Sequence, residues 1–129
     1  MENFTRITIV IASGLLMFAL SLGALGSHFL KFRLSQDALN SFEIGVRYLV
    51  YQGLAILVLN SYSKIDSEIK HIFVKLSLAG ILLFSGSIFM LSTQELHGWP
   101  VKYLGPITPL GGILLISAWG YLVICFFKK

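Results

Sequence analysis

The sequence contains few charged residues. Asp, Glu, Lys and Arg make up 12% of its 129 residues, whereas soluble domains average about 25%. The 10 basic and 6 acidic side chains are too few to cover a soluble domain that is 56% hydrophobic, because a small domain has a large surface for its volume. Aromatic residues make up 13% of the chain, which excludes a disordered protein. The composition therefore indicates an integral membrane protein, with one domain over residues 1–129.

Sequence motifs for catalysis, metal binding and nucleic-acid binding are also missing. The single cysteine, Cys125, cannot form an intrachain disulfide. The two histidines His28 and His97 lack the third ligand of a metal site, and no phosphate loop or nucleophile elbow occurs. All six acidic residues fall outside the apolar runs or at their edges, which is unlike a proton-coupled carrier. Basic residues form no stripe. We therefore expect no metal, no cofactor and no nucleic-acid partner.

Four apolar runs are long enough to cross a bilayer as helices. They cover residues 7–27, 44–61, 71–92 and 107–127 approximately. Spanning segments must satisfy their own backbone hydrogen bonds, and continuous hydrophobicity without alternation favours helices over a barrel. The predicted fold is therefore all-α, a bundle of four antiparallel transmembrane helices joined by short connections.

Two helix starts can be read from capping residues. Ser35 is a good N-cap for a long second helix from about Gln36 to Asn60. Thr108 is the predicted N-cap of the last helix, with Pro109 at its first position. The segment 93–106 is rich in Gly and Pro and is therefore predicted to be a loop.

The basic residues predict the orientation in the membrane. Arg6, Lys64, Lys70, Lys75, Lys128 and Lys129 fall on one side, and Lys31, Arg33, Arg47 and Lys102 fall on the other. The side with six positive charges is expected to be cytoplasmic, which places both termini there. Residues 24–26 resemble a signal-peptide cleavage site, but the preceding apolar run is longer than such a peptide needs. We keep this run as the first span.

Small residues are expected at contacts between helices. The candidates are Gly23, Ser27, Gly80, Gly86, Gly111 and Gly112. Small side chains let membrane helices approach closely. Leucine at Gly86 or Gly112 is therefore expected to lower thermal stability.

Five polar side chains form the candidate site. They are His28, Tyr48, Tyr51, Gln52 and Thr108. We expect His28 at the outer end of the first helix to meet the tyrosines and Gln52 of the second, near the free N–H groups at the start of the fourth. Such a network would either hold an anionic headgroup or seal the bundle.

Motifs in all four helices give the sequence a family resemblance. They are GALGSH at 23–28, Gly45-x-x-Tyr48-x-x-Tyr51-x-x-Leu54-Ala55, LFSGS at 83–87, and ITPLGG at 107–112 followed by Trp119. In this order they resemble the small four-helix membrane proteins called domain of unknown function 423. The resemblance implies a multi-pass protein of the cell (inner) membrane. Gln52 stands where members of this family commonly carry a histidine, so a role needing two imidazoles is not expected here.

Three functional hypotheses follow. The favoured one is a non-enzymatic membrane protein that packs with lipids or partner proteins, because no catalytic constellation is present. The second is a small permease or lipid-handling protein that acts as a homo-oligomer, since four helices leave little room for a pathway. The third is a membrane enzyme or cofactor carrier built on His28, His97 and Tyr48. Membrane lipids are the expected partners in the first two.

Overall fold

The chain folds into four long helices and short connecting turns, described over residues 3–128 of a computed structural model. In chain order the helices are α1 (Asn3–His28), α2 (Gln36–Ser61), α3 (Ser67–Ser92), the one-turn α4 (Gln94–His97) and α5 (Ile107–Phe127). Two 3₁₀ turns, Leu30–Phe32 and Lys102–Leu104, precede α2 and α5.

Four segments are long and apolar enough to cross a membrane. They are α1, α2, α3 and the stretch Lys102–Phe127, each 26 residues long. At 1.5 Å per residue the 26-residue helices α1, α2 and α3 reach about 39 Å and the 21-residue α5 about 32 Å, at least the roughly 30 Å of a bilayer core. The predicted all-α bundle of four spans is confirmed.

Two helices extend beyond the predicted spans. α1 begins at Asn3 and α3 begins at Ser67, about one turn before the apolar runs that start near residues 7 and 71. Most of the added residues are polar, with Phe4 and Ile69 as the exceptions, and a helix can continue past the membrane with polar side chains in water. Hydrophobicity therefore marks the buried length of these helices and not their first residues.

Ser35 caps α2 as predicted. Its hydroxyl oxygen accepts a hydrogen bond of 3.2 Å from the Ala38 backbone N–H, and its ψ of 159° is extended. This bond satisfies one of the N–H groups that the first turn leaves without a partner. The Ser35 hydroxyl also donates to Glu95 Oε1 over 3.4 Å, which joins the start of α2 to α4.

The predicted cap of the last helix is wrong. α5 begins at Ile107 with Pro106 in the capping position, so Thr108 and Pro109 lie inside the first turn. Both prolines are compatible with a helix start, because backbone N–H groups of the first turn have no helical acceptor. The Thr108 hydroxyl instead forms a short hydrogen bond with the Ser87 hydroxyl on α3.

The segment 93–106 is more ordered than the predicted loop. It contains α4 and the 3₁₀ turn Lys102–Leu104. Gly98 ends α4 with a φ of 68°, a left-handed conformation that glycine adopts without strain. Val101 is buried at 2% exposure and anchors the segment to the bundle.

The helices pack in the order α1, α2, α3, α5. α1 lies against α2, α2 against α3, and α3 against α5. Side chains from all four meet in the centre, where Ala19, Leu49, Ile81 and Leu115 form one buried cluster. The start of α1 lies near the end of α2, because the Asn60 side chain donates to Thr5 O over 3.1 Å. We call the opposite end, where α1 and α3 end, the His28 end.

The predicted packing residues differ in how closely they approach a neighbouring helix. A Cβ added at Gly111 would collide with the Phe84 backbone and lie 2.8 Å from Gly80 O, and one at Gly80 would lie 3.0 Å from Leu115 N. These two glycines therefore let α3 and α5 touch backbone to backbone.

The other four predicted packing residues have more space. Added Cβ atoms would lie 3.6 Å from Val46 at Gly23 and 3.7 Å from Phe84 at Gly112, which are ordinary contacts. A Cβ at Gly86 would meet nothing within 4 Å, so this glycine is not at the close contact that the sequence predicts. Ser27 is exposed, and its hydroxyl donates to Gly23 O of its own helix.

Candidate functional site

A groove of about 630 Å³ runs along the side of the bundle between α2 and α5. We call it the α2–α5 groove. Its lining residues are Tyr48, Gln52, Phe84, Gly112, Leu115, Ile116, Trp119, Gly120 and Val123. Ile116 is 73% exposed and Val123 is 65% exposed at its rim. The groove therefore opens sideways, towards the bilayer.

The groove exists because α5 packs on α3 and carries glycines towards α2. The close approach at Gly80 and Gly111 holds α5 against α3. Along α5, Gly112, Ile116 and Gly120 are four residues apart and share one helix face. A Cβ at Gly120 would meet nothing within 4 Å. Two missing side chains thus leave space that no neighbouring helix fills.

Gln52 is the polar group at the base of the groove. Only 6% of its surface is exposed, and its Oε1 atom has no hydrogen-bond partner. A buried carbonyl oxygen without a partner costs about 1–3 kcal/mol, so folded proteins rarely leave one. Gln52 lies 16 residues from the start of α2 and 9 from its end, or about 14 Å from the nearer end. It is therefore away from bulk water at either membrane surface.

Aromatic rings line the α2–α5 groove at two levels, with Tyr48 nearer the His28 end and Trp119 nearer the opposite end. The Tyr48 ring lies 5.2 Å from the Phe84 ring and 5.6 Å from the Tyr51 ring, between centroids. Trp119 packs edge-on against Phe73 at 5.1 Å. Such pairs hold large side chains in fixed positions. The walls are therefore rigid and apolar, with a phenol and an indole as polar tips.

The structure brings three of the five candidate site residues together. Tyr48, Tyr51 and Gln52 lie on adjacent turns of α2, and Tyr48 and Gln52 line the groove. Thr108 is bonded to Ser87 at the start of α5. It also lines a separate cavity of about 330 Å³ beside Asp37 at the His28 end.

His28 lies apart from Gln52. At the end of α1, Gly26 contacts Phe42 of α2, whereas Gly53 of α2 lies beside Leu16. Gln52 is ten residues along α2 from Phe42, which is about 15 Å at 1.5 Å per residue. His28 is exposed at the end of α1, beyond the reach of a hydrogen bond or one bridging water. The single network that the sequence predicts is therefore divided between two levels of the bundle.

The other histidines make local contacts. His97 Nε2 donates a hydrogen bond of 2.9 Å to Met90 O, and His71 stacks on Phe4 at the opposite end. Within residues 3–128, no three His, Cys, Asp or Glu side chains come together in a way that could hold a metal ion.

A second, smaller groove of about 300 Å³ lies between α1 and α3. Gly86 and Leu82 line it, together with Ser85. The Ser85 hydroxyl donates to Gly45 O over 2.7 Å, so the polar group here is already satisfied. This groove can hold an apolar chain but has no free polar group that would select one.

Sequence reasoning found Gln52 but missed the groove. The signal was present, because Gln52 is an amide inside an apolar run, and Gly112 and Gly120 face one way along α5. Which helix those glycines face depends on the pairing of α5 with α3. That pairing rests on Gly80 and Gly111 among the 12 glycines of the chain.

Comparisons with known proteins agree with this architecture. Residues 22–112 match the family described as "Protein of unknown function (DUF423)". A UPF0382 membrane protein of Staphylococcus aureus (strain bovine RF122 / ET3-1) is 38% identical over 112 residues, covering 87% of this chain and 88% of the relative. The UPF0382 membrane protein YwdK of Bacillus subtilis (strain 168) is 32% identical over 125 residues, covering 95% and 98%. No solved structure gives a significant match. Since the family match covers most of the chain and these relatives align along nearly their whole length, the chain belongs to the DUF423 family of multi-pass membrane proteins.

Proposed function

We propose that this protein is a non-enzymatic integral membrane protein that binds membrane lipids along its sides. The observation that carries the proposal is the α2–α5 groove, which has a volume of about 630 Å³ and opens towards the bilayer. Small-molecule sites typically enclose about 300–1,000 Å³, with mainly apolar walls and a few polar groups that fix orientation. The groove has that size and that kind of lining.

The lining chemistry favours binding over catalysis. The described residues that line the groove include no carboxylate, imidazole, thiol or amine. Those groups supply the general acids, bases and nucleophiles of most enzymes. The Tyr48 phenol is the one common acid–base group in the lining, and it has no second such group beside it there, whereas the amide, the phenol and the indole can all orient a bound lipid by hydrogen bonds.

Retention of lipid during purification tests this proposal. The full chain is extracted in mild detergent, and bound lipids are identified by native mass spectrometry. Gly120→Leu should place a side chain in the groove and reduce bound lipid roughly tenfold, because losing the burial of about two methylenes costs about that factor. Gly14→Leu is the matched control, since a Cβ at Gly14 also meets nothing within 4 Å but Gly14 does not line the groove.

Two results would contradict the proposal. Equal lipid retention by Gly120→Leu and Gly14→Leu would show that the groove is not the binding site. Chemical conversion of the bound lipid during incubation would show that the protein is an enzyme.

We also propose that both termini are cytoplasmic. The support is the excess of basic residues on that side, six against four, which generally orients multi-pass proteins.

A further inference from the structure

We infer that the α2–α5 groove selects a neutral amphiphile with a hydroxyl group, such as a long-chain alcohol, through a hydrogen bond to Gln52. This inference rests on the proposed lipid-binding function and names the chemistry of the ligand. Its basis is the combination of an open apolar groove and a buried amide oxygen without a partner.

Gln52 differs from the other buried groups that lack a partner. These are Asn60 Oδ1 and Ser77 Oγ. The Asn60 side chain already donates to Thr5 O, and Ser77 is fully enclosed at 0% exposure. Of the three residues, Gln52 is the one that lines the α2–α5 groove. Gln52 Oε1 itself has almost no accessible surface, so an occupant of this groove can supply the missing hydrogen bond only after a half-turn of the amide brings Oε1 to the position of Nε2.

The uncharged lining determines the net charge of the ligand. No Asp, Glu, Lys, Arg or His is among the residues that line the groove. A charged headgroup at this depth would have to leave water without a counter-charge, which is costly in a low-dielectric environment. The ligand group beside Gln52 is therefore neutral, while an apolar chain lies along Gly112 and Gly120.

The amide of Gln52 favours a hydroxyl among neutral groups. Half a turn about its last side-chain bond exchanges Oε1 and Nε2, so the amide can present either an acceptor or a donor. A hydroxyl donates and accepts, and so it can bond the amide in both orientations. An ether or an ester oxygen only accepts, and a hydrocarbon does neither.

The concave shape favours a lipid over a second copy of the chain. A helix with side chains is about 10–12 Å across, whereas the floor of the groove is formed by the missing side chains of Gly112 and Gly120. Tyr48 of α2 and Trp119 of α5 both line the groove. A single alkyl chain is narrower than a helix and can lie along such a groove.

Competitive photolabelling tests the inference. The full chain is placed in phosphatidylglycerol nanodiscs with a long-chain alcohol that carries a photoreactive diazirine. Labelled peptides are mapped by mass spectrometry. Labels are expected on α2 and α5, and hexadecanol should compete about tenfold better than hexadecyl methyl ether, since one buried hydrogen bond is worth about that factor.

Variants connect this preference to the named residues. Gln52→Leu should abolish the preference for alcohol over ether and retain labelling, because the apolar groove stays. Gln36→Leu is the matched control: Gln36 is exposed at the start of α2, where its side chain bonds Asn40, and this variant should keep the preference. Gly120→Leu should reduce labelling by any chain.

The contrary outcomes separate the inference from the function on which it rests. Equal competition by alcohol and ether, with labelling still blocked by Gly120→Leu, would overturn the hydroxyl preference and leave lipid binding in place. Absence of label from α2 and α5 would overturn both. Crosslinks between two copies through the groove, lost in Gly120→Leu, would assign it to a dimer contact and overturn the inference.

Discussion

At the residue scale, Gly111 determines how closely α3 and α5 can pack. An added Cβ would collide with the Phe84 backbone and lie 2.8 Å from Gly80 O. Backbone cannot move aside as a flexible side chain can, so the two helices must separate. We expect Gly111→Ala to lower the free energy of unfolding by about 1–3 kcal/mol, the usual cost of overpacking. Thermal unfolding of the purified protein in detergent measures this.

Gly86→Ala is the control for this prediction. A Cβ at Gly86 meets nothing within 4 Å, so its melting temperature should stay close to that of the unsubstituted chain. If Gly111→Ala melted at the same temperature as Gly86→Ala, the close α3–α5 contact would be wrong. The sequence predicts that Gly86 and Gly111 both lie at contacts between helices. The two melting temperatures show which of these glycines does.

At the element scale, the cap of α2 is a local contribution to stability. Ser35 accepts the Ala38 N–H and bonds Glu95 in α4. We expect Ser35→Ala to cost about 1 kcal/mol, the usual loss for an N-cap. Ser35→Asn should restore most of it, because asparagine is an equally good cap. Chemical unfolding monitored by circular dichroism would measure both changes.

Ser61→Ala is the control for the capping prediction. The Ser61 hydroxyl donates to Val58 O at the far end of the same helix and does not cap its start. A loss for Ser61→Ala as large as that for Ser35→Ala would show that the effect comes from removing any helical serine and not from the cap.

Helices and helix starts were predictable from the sequence where the residues that determine them are close together in the chain. Continuous apolar runs predict the four helices, and Ser35 predicts the start of α2, because the capping hydroxyl and the Ala38 N–H that donates to it are three residues apart. The start of α5 was missed by two residues because Pro106 and Pro109 are both allowed at the start of a helix. The polar extensions of α1 and α3 were missed because hydrophobicity does not report them.

The α2–α5 groove could not be predicted because it depends on how helices that are far apart in the sequence pack together. Gly112 and Gly120 leave a space only when α5 packs on α3 through Gly80 and Gly111 and turns its other glycines towards α2. The distance between His28 and Gln52 likewise depends on the register of α1 against α2. Gly26 beside Phe42 and Leu16 beside Gly53 fix that register, and no sequence spacing encodes it.

At the scale of the whole molecule, two lateral grooves suit a protein that works within the plane of the bilayer. The α2–α5 groove lies along one side and the α1–α3 groove along another, and the helix pair α2 and α3 separates them. Two clusters of buried hydrophobic side chains join all four helices, and the buried polar side chains of these helices, such as Thr8, Gln52 and Ser77, are uncharged. A water-filled pathway through one copy would need a continuous line of polar groups. Binding at the sides therefore agrees better with this bundle than transport through its centre.

Membrane orientation is the second property of the whole molecule. The start of α1 and the end of α5 lie at the same end of the bundle, because Thr5 is bonded to Asn60 and Leu122 packs near Ile69 and Phe73. In a bilayer crossed by all four helices, these two helix ends therefore lie on the same side. The positive-inside rule predicts that it is the cytoplasm, with six basic residues on that side and four on the other.

A pair of reporters fused after Lys129 tests this orientation. We expect fluorescence from a protein that folds only in the cytoplasm and no activity from a phosphatase that works only outside it. Replacing Lys64 and Lys128 with glutamine reduces the balance from six against four to four against four, and mixed orientation should result because the charge bias is then lost. The same change at Lys31 and Lys102 leaves six against two and should keep the termini cytoplasmic. Phosphatase activity from the unsubstituted fusion would reverse the orientation, although the four spans and both grooves would stay as they are.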